Sequence, residues 1–128
     1  MRVRVYLSFV LFAAATFGCQ RLNDERTFHL PAGGIQSIEY SAPRFAQKLT
    51  IDVVSPGAPV TAYVVKQDES EAAKTTMDAG KAPAAPLVGK ESAEEIHLET
   101  TVPAKTGYTL LIRADKKSAE VRVKVTGR

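Results

Sequence analysis

After residue 26 the chain alternates large apolar and polar residues in a series of short segments. In the last of these, Val121, Val123 and Val125 alternate with charged side chains. Strict alternation is typical of an antiparallel strand with one buried and one wet face. The pattern predicts strands at residues 27–30, 35–41, 48–54, 60–66, 95–102, 108–113 and 119–126, with a brief edge strand at 87–88.

Turn residues separate these segments at intervals of about 8–12 residues, as in all-β sandwiches. Ser55-Pro56-Gly57 is one such turn, because proline presets one φ angle and glycine permits a positive one. We therefore predict an all-β fold. The expected architecture is an antiparallel, jelly-roll-like β-sandwich of about seven or eight short strands over residues 27–128.

Residues 67–90 interrupt the strand pattern. Asp68 at an N-cap, Glu71 at the capping-box position and Gly80 just past the end would suit a short helix. Met77 is the only large apolar residue in residues 68–79, which leaves such a helix little to bury. The expectation is therefore a mobile excursion, followed by a stiff, proline-containing surface loop at residues 81–86.

The first eighteen residues have the composition of a secretory signal peptide. Arg2 and Arg4 precede an apolar run at residues 5–17. Such a run is too short for a membrane-spanning helix, which needs about 20 residues, and it suits the hydrophobic region of a signal. We predict that residues 1–18 are removed on export.

The lone cysteine follows directly after this run. Gly18-Cys19 resembles the lipobox of bacterial lipoproteins, where a small residue precedes the lipidated cysteine, although Thr16 and Phe17 depart from the usual pattern. The resemblance implies acyl chains such as palmitate on Cys19, with residues 19–26 as a tether. Gln20 in place of an aspartate favours the outer membrane. The alternative is ordinary cleavage after the alanines at residues 13–15, which would give a secreted or periplasmic protein without lipid.

Most of the basic character belongs to the leader. The full chain has 17 basic and 14 acidic residues, and removing residues 1–18 leaves 110 residues with a net charge of +1. The remaining charge is uneven, because residues 66–100 carry −4 and residues 101–128 carry +5. This asymmetry directs the search for a binding surface to the C-terminal strands.

The basic C-terminal segment contains the best candidate for ligand binding. If its last two strands pair, five cations share one end or face of the sheet and could meet an anionic envelope polymer or anionic lipid headgroups. They are Arg113, Lys116, Lys117, Arg122 and Lys124. The alternative is that these charges protect a sheet edge from aggregation. Nucleic acid is not an expected partner of an exported chain with 7% aromatic residues.

No set of residues with catalytic or metal-binding spacing occurs in the chain. His29 and His97 are far apart and have no cysteine or acidic residue at ligand spacing. There is no Gly-x-Ser-x-Gly elbow and no phosphate-binding glycine loop. We therefore predict no enzyme activity, no cofactor and no metal, although an enzyme whose site is not visible in the sequence stays an alternative.

A proline followed by glycine and tyrosine leads into a late strand. Pro103, Gly107-Tyr108 and Leu110-Leu111-Ile112 carry this pattern, which is similar to bacterial pre-peptidase C-terminal domains. The resemblance implies an accessory or binding role, although the dense acidic loop that such domains often carry has no counterpart here. The predicted function is an exported, lipid-anchored envelope protein with a non-catalytic binding domain of unknown ligand. A structural subunit of an envelope protein complex is the alternative.

Overall fold

The computed structural model describes residues 21–128, which form eight antiparallel strands and one helix. The predicted signal peptide and Cys19 lie outside the described residues. The strands are β1 (Leu22–Leu30), β2 (Ile35–Tyr40), β3 (Gln47–Val54), β4 (Val60–Lys66), β5 (Val88–Ala93), β6 (Glu95–Val102), β7 (Tyr108–Ala114) and β8 (Ala119–Gly127). A 3-10 turn at Gln67–Glu69 leads into α1 (Ser70–Asp78).

The strands form two four-stranded sheets. Sheet I has the order β1-β8-β3-β6 and sheet II the order β2-β7-β4-β5. This is the order of a jelly roll, in which most successive strands lie in opposite sheets. The predicted all-β, jelly-roll-like sandwich is therefore confirmed.

The crossing connections collect at two ends of the sandwich. The lower end holds loops 41–46 and 103–107, and here Leu22 of β1 pairs with Gly127 of β8. The upper end holds loops 31–34, 55–59 and 115–118. The two ends are separated by the length of β1, nine residues or about 30 Å at 3.4 Å per residue.

The core lies between the sheets and consists of the residues that the alternation predicts. Leu49, Ile51 and Val53 of β3 are almost completely buried, as are the three alternating valines of β8. Burying each such side chain stabilises the fold by about 1.5–3 kcal/mol before conformational entropy is counted. Tyr40 and Tyr108 stack with ring centroids 5.2 Å apart at the lower end of this core.

The helix is ordered, and the expectation of a mobile excursion is wrong. Ala73 and Met77 are buried on the outer face of sheet II, where they pack with side chains such as Val65 and Leu111. The outer face of the sheet supplies the apolar partner that is absent from the helix's own sequence. The position just past the helix end is predicted correctly, because Gly80 has a φ of 80° and its N–H donates to the Met77 carbonyl oxygen. Asp68 is not the N-cap; Glu69 occupies that position without a side-chain cap hydrogen bond.

Two strands extend beyond their predicted limits. β1 begins at Leu22 instead of residue 27, so residues 22–26 pair with β8 and do not belong to the tether. β5 continues to Ala93 and forms the edge of sheet II. Both are edge strands held by main-chain pairing to one neighbour, so their sequences need no strong apolar alternation. Among residues 21–128 no helix has the length and hydropathy needed to cross a membrane.

Candidate functional site

A groove of about 750 Å³ opens on the outer face of sheet II at the upper end. α1 covers the lower part of this face and leaves the upper part open. The floor is formed by neighbouring residues of β4 and β7, among which Thr61 lies directly opposite Arg113. The end of α1, the strand β5 and the upper loops form the walls. We call this feature the Arg113 groove.

Arg113 is a largely buried cation with unused donors. Its side chain is 24% exposed, and its nearest acidic partner is Asp115, with Nη1 and Oδ1 3.7 Å apart. That distance is too long for a hydrogen bond. Within residues 21–128 the guanidinium donates no hydrogen bond, and Nε is fully buried without a partner. A guanidinium has five N–H donors suited to two-point binding of a carboxylate or phosphate.

Asp115 forms a long ion pair with Arg113 at 3.7 Å, and its hydrogen bonds come from hydroxyl groups and not from the guanidinium. Oδ1 accepts a hydrogen bond from Thr61 Oγ1 at 3.1 Å, and Oδ2 accepts one from Ser92 Oγ at 2.8 Å. The Asp115 side chain is only 16% exposed. These bonds hold the carboxylate in place beside the guanidinium.

A bulge in β5 brings Ser92 to this cluster. The pairing of β4 with β5 shifts register between Val60 and Ala62, and Ser92 has a φ of 51°. Its N–H donates to Thr61 Oγ1 at 3.1 Å. Bulges redirect side chains in this way at sheet edges, and here the bulge directs the serine hydroxyl to Asp115.

Tyr63 and Glu91 form a second polar contact in the groove. The tyrosine hydroxyl donates a hydrogen bond to Glu91 Oε2. Burial, followed by this hydrogen bond, raises the pKa of Tyr63 above its ordinary value, so the hydroxyl stays protonated. Gly89 allows the ring to lie against β5, because a Cβ atom there would stand 2.0 Å from Tyr63 Cδ1.

The charges around the groove are used unequally. Each of its three acids accepts a hydrogen bond from the protein itself, including Glu94, whose Oε1 accepts from the Gly57 N–H at 3.0 Å. Lys117 donates to the Gly57 carbonyl oxygen at 3.4 Å. The side chains of Lys81 and Lys116 line the groove without a hydrogen bond or ion pair among the described residues. The groups in the groove that remain available to a ligand are therefore cationic, and they suit an anion.

The five cations predicted as one patch fall into two groups. β7 and β8 lie in different sheets and do not pair, so the condition for a shared surface is not met. Arg113, Lys116 and Lys117 line the groove. Arg122 and Lys124 lie on the outer face of sheet I, where Lys124 stands between Glu25 and Asp52 in register. Such a row of opposite charges is largely neutral.

The two histidines also lie on sheet I, on its opposite edge strands. His97 of β6 contacts Asp52 through Nδ1 at 2.6 Å and Glu99 through Nε2 at 2.9 Å. These hydrogen bonds, with that to Asp52 the larger cause, raise the pKa of His97. His29 of β1 contacts Glu120 at 2.8 Å. Within residues 21–128 no group of three potential ligands is arranged to hold a metal ion.

The residues that surround Arg113 in the groove could not be identified from the sequence. Thr61, Ser92 and Asp115 are separated by up to 54 positions and meet only because β4, β5 and β7 are neighbours. The one usable signal was the basic run after β7, which places Lys116 and Lys117 in a loop next to Arg113.

The comparisons with known proteins give similarities of fold. No protein-family model matches the sequence, and no curated protein matches it. PliG of Aeromonas hydrophila, a periplasmic inhibitor of g-type lysozyme, superposes with a TM-score of 0.55 at 10% identity, covering 87% of this chain and 89% of its own. The pre-peptidase C-terminal domain of a Bacillus anthracis collagenase gives 0.54 at 12% identity, covering 81% and 89%.

A third solved structure has the same level of similarity. The mitogen derived from Yersinia pseudotuberculosis gives a TM-score of 0.54 at 10% identity, covering 82% of this chain and 85% of its own. At these identities the likeness shows the fold alone. The predicted similarity to pre-peptidase C-terminal domains is confirmed at that level.

Proposed function

We propose that this chain is an exported envelope protein, anchored by lipid at Cys19, whose sandwich binds an anionic group of another envelope component in the Arg113 groove. The observation that carries the binding proposal is the guanidinium of Arg113, three-quarters buried and donating no hydrogen bond within residues 21–128. Leaving buried donors unsatisfied costs free energy. A carboxylate or phosphate in the groove would recover that cost through charge-assisted hydrogen bonds.

The lysines extend the site toward solvent. Lys81, at the end of α1, and Lys116, after β7, approach the groove from two sides. Their long, flexible side chains are suited to attracting an anion before Arg113 binds it. The three acids limit the groove to anions placed at the guanidinium, because their own charge opposes a ligand that spreads over the whole surface.

A role in binding, without catalysis, agrees with the contents of the groove. Its acids and its tyrosine are engaged in hydrogen bonds with each other, with the hydroxyl groups of Thr61 and Ser92 and with the main chain, and the residues that line it include no histidine or cysteine. The similar folds support this proposal, since PliG is described as a lysozyme inhibitor and the collagenase domain as a pre-peptidase C-terminal domain. The partner proposed here is therefore an envelope protein or polymer that presents a carboxylate or phosphate.

The binding proposal is tested with minimal anions. Titration of the protein with inorganic phosphate or acetate should shift the Arg113 Nε–H signal in the NMR spectrum in a saturable, salt-sensitive manner. Arg113→Gln should abolish saturable binding of the anion. Arg122→Gln removes the same charge from the outer face of sheet I and should leave the binding unchanged. Absence of saturation, or an equal loss in both variants, would contradict the proposal.

The lipid anchor requires a separate measurement. The resemblance of Gly18-Cys19 to a lipobox supports it, and Gln20 supports the outer membrane. The intact mass of protein extracted from membranes should correspond to a chain that begins at Cys19 and carries acyl chains. A mass for an unmodified chain that begins near Thr16 would exclude the anchor and favour a secreted or periplasmic protein.

A further inference from the structure

The lower end of the sandwich presents an exposed aromatic side chain. Phe45, in the loop between β2 and β3, is 65% exposed and is the only large hydrophobic residue among residues 21–128 with an exposed side chain. Isolated exposed hydrophobic residues are common on protein surfaces. The surroundings of Phe45 and its position relative to the chain terminus distinguish it from that background.

The loop that carries Phe45 is held by the neighbouring loop. Pro43 is buried, and its carbonyl oxygen accepts a hydrogen bond of 2.7 Å from the Lys105 N–H. Lys105 has a φ of 62°, the left-handed conformation that brings its N–H to this position. Phe45, Arg44 and Lys105 line one shallow hollow of about 450 Å³. The aromatic ring is thus presented by a fixed loop between two cations.

The lower end carries more cations than acids. Five acids lie near it: Asp24, which accepts a hydrogen bond from the Tyr40 hydroxyl, Glu99, whose charge interacts with that of Lys48, Glu39, and Asp68 and Glu69 in the 3-10 turn after β4. Six cations outnumber them, and all have exposed side chains: Arg21, Arg44, Lys48, Lys66, Lys105 and Arg128. Lys48 and Arg128 are joined by two main-chain hydrogen bonds of 2.8 and 3.0 Å, which hold Arg128 at this end.

The N-terminal segment leaves the sandwich from the same end. Leu22 pairs with Gly127, beside Leu49 at the start of β3. Cys19 precedes Leu22 by three residues, which span at most about 11 Å of extended chain. The sandwich is about 30 Å long along β1. A lipid on Cys19 can therefore bring the lower end, and not the upper end, against the bilayer.

We propose that the lower end is a membrane-contacting surface, with Phe45 inserted at the bilayer interface and the surrounding cations against anionic lipid headgroups. This inference rests on the proposed lipid anchor. Apolar side chains, Phe among them, are buried at the boundary between headgroups and acyl chains when a protein lies on a membrane, and clusters of Lys and Arg are attracted to anionic lipid. The short connection to Cys19, the exposed aromatic ring and the excess of positive charge all occur at this end. Their coincidence favours a bilayer over a protein as the partner of this surface.

The chain contains no tryptophan, so a single introduced tryptophan reports its own surroundings. The test uses the full lipidated protein reconstituted in vesicles of phosphatidylethanolamine and phosphatidylglycerol. In the Phe45→Trp variant the emission should shift to the blue, and brominated lipids should quench most of its intensity. The matched control is Ala32→Trp, at an exposed position of the turn between β1 and β2 at the upper end, which should keep a water-like emission without quenching.

The possible outcomes distinguish failure of the membrane-contacting surface from failure of the proposed lipid anchor. The intact mass of the same preparation reports whether Cys19 is acylated. If it is acylated and the Phe45→Trp emission stays water-like, the membrane surface is overturned and the anchor stands. Equal quenching of both variants would likewise overturn the specific orientation. If Cys19 carries no lipid, both the anchor and this inference fail.

Discussion

The residue type predicts the environment of some side chains in this fold and not of others. The alternating apolar residues of β3 and β8 are buried as their pattern predicts, because a period of two leaves only the choice of face. Arg113 has the opposite character. Its residue type indicates an exposed charge, yet a position facing the partly covered side of sheet II makes it largely buried. The groove around it is built from β4, β5 and the loop after β7, and no local sequence pattern shows that these segments are neighbours.

His97 provides a prediction at this scale. Its raised pKa means that the folded protein binds the proton more tightly than the unfolded chain does. This contribution to stability is fully present below the ordinary pKa of 6.5 and is lost as the pH rises through the raised value. Asp52→Asn should lower the pKa of His97, and Glu99→Gln should lower it less, as measured by NMR titration of the ring. An ordinary pKa for His97 in the unmutated protein would contradict this account.

Among the elements, the strands were predicted well and the helix was not. Four strands, β2, β3, β7 and β8, begin and end within one residue of their expected limits, and β4 and β6 match their expected limits at both ends. α1 was missed because its stability comes from tertiary packing, which exceeds the contribution of helix propensity in short helices. A single buried methionine with one alanine a turn earlier is sufficient when a sheet face stands opposite.

Met77→Ala tests that account of the helix. Removing a side chain that is 2% exposed should lower the free energy of unfolding by about 2–5 kcal/mol. It should also weaken anion binding, since Met77 lines the Arg113 groove. Urea denaturation and the phosphate titration measure the two effects. Thr75→Ala, at an exposed position of the same helix, is the control, and a loss of equal size there would refute the packing explanation.

The jelly-roll order explains why the five cations predicted as one patch lie on two surfaces. Adjacent strands in the sequence are seldom adjacent in a sheet of this fold. The two basic strands therefore face different surfaces, although they are consecutive. Composition predicted the amount of positive charge. The topology determines where it lies: in the Arg113 groove, on the outer face of sheet I beside acidic residues, and at the lower end.

The extent of β1 gives a prediction for the molecule as a unit. A chain that starts at residue 27 loses five residues paired with β8, and the buried Tyr40 hydroxyl loses the Asp24 oxygen that accepts its hydrogen bond at 2.7 Å. The loss of that acceptor alone should cost about 1–3 kcal/mol. The urea midpoint should be lower than for a chain that starts at residue 21. Equal midpoints would mean that residues 22–26 add nothing to the fold.

The length of β1 has a consequence for competition between ligands. A chain anchored at Cys19 would hold the Arg113 groove about 30 Å above the bilayer, at the far end of a rigid sheet. Headgroups of the same leaflet do not extend that far, so they cannot compete for the groove however abundant they are. Anionic lipid would occupy the lower end only. The groove would stay available to a carboxylate or phosphate on an envelope component that extends about as far from the bilayer.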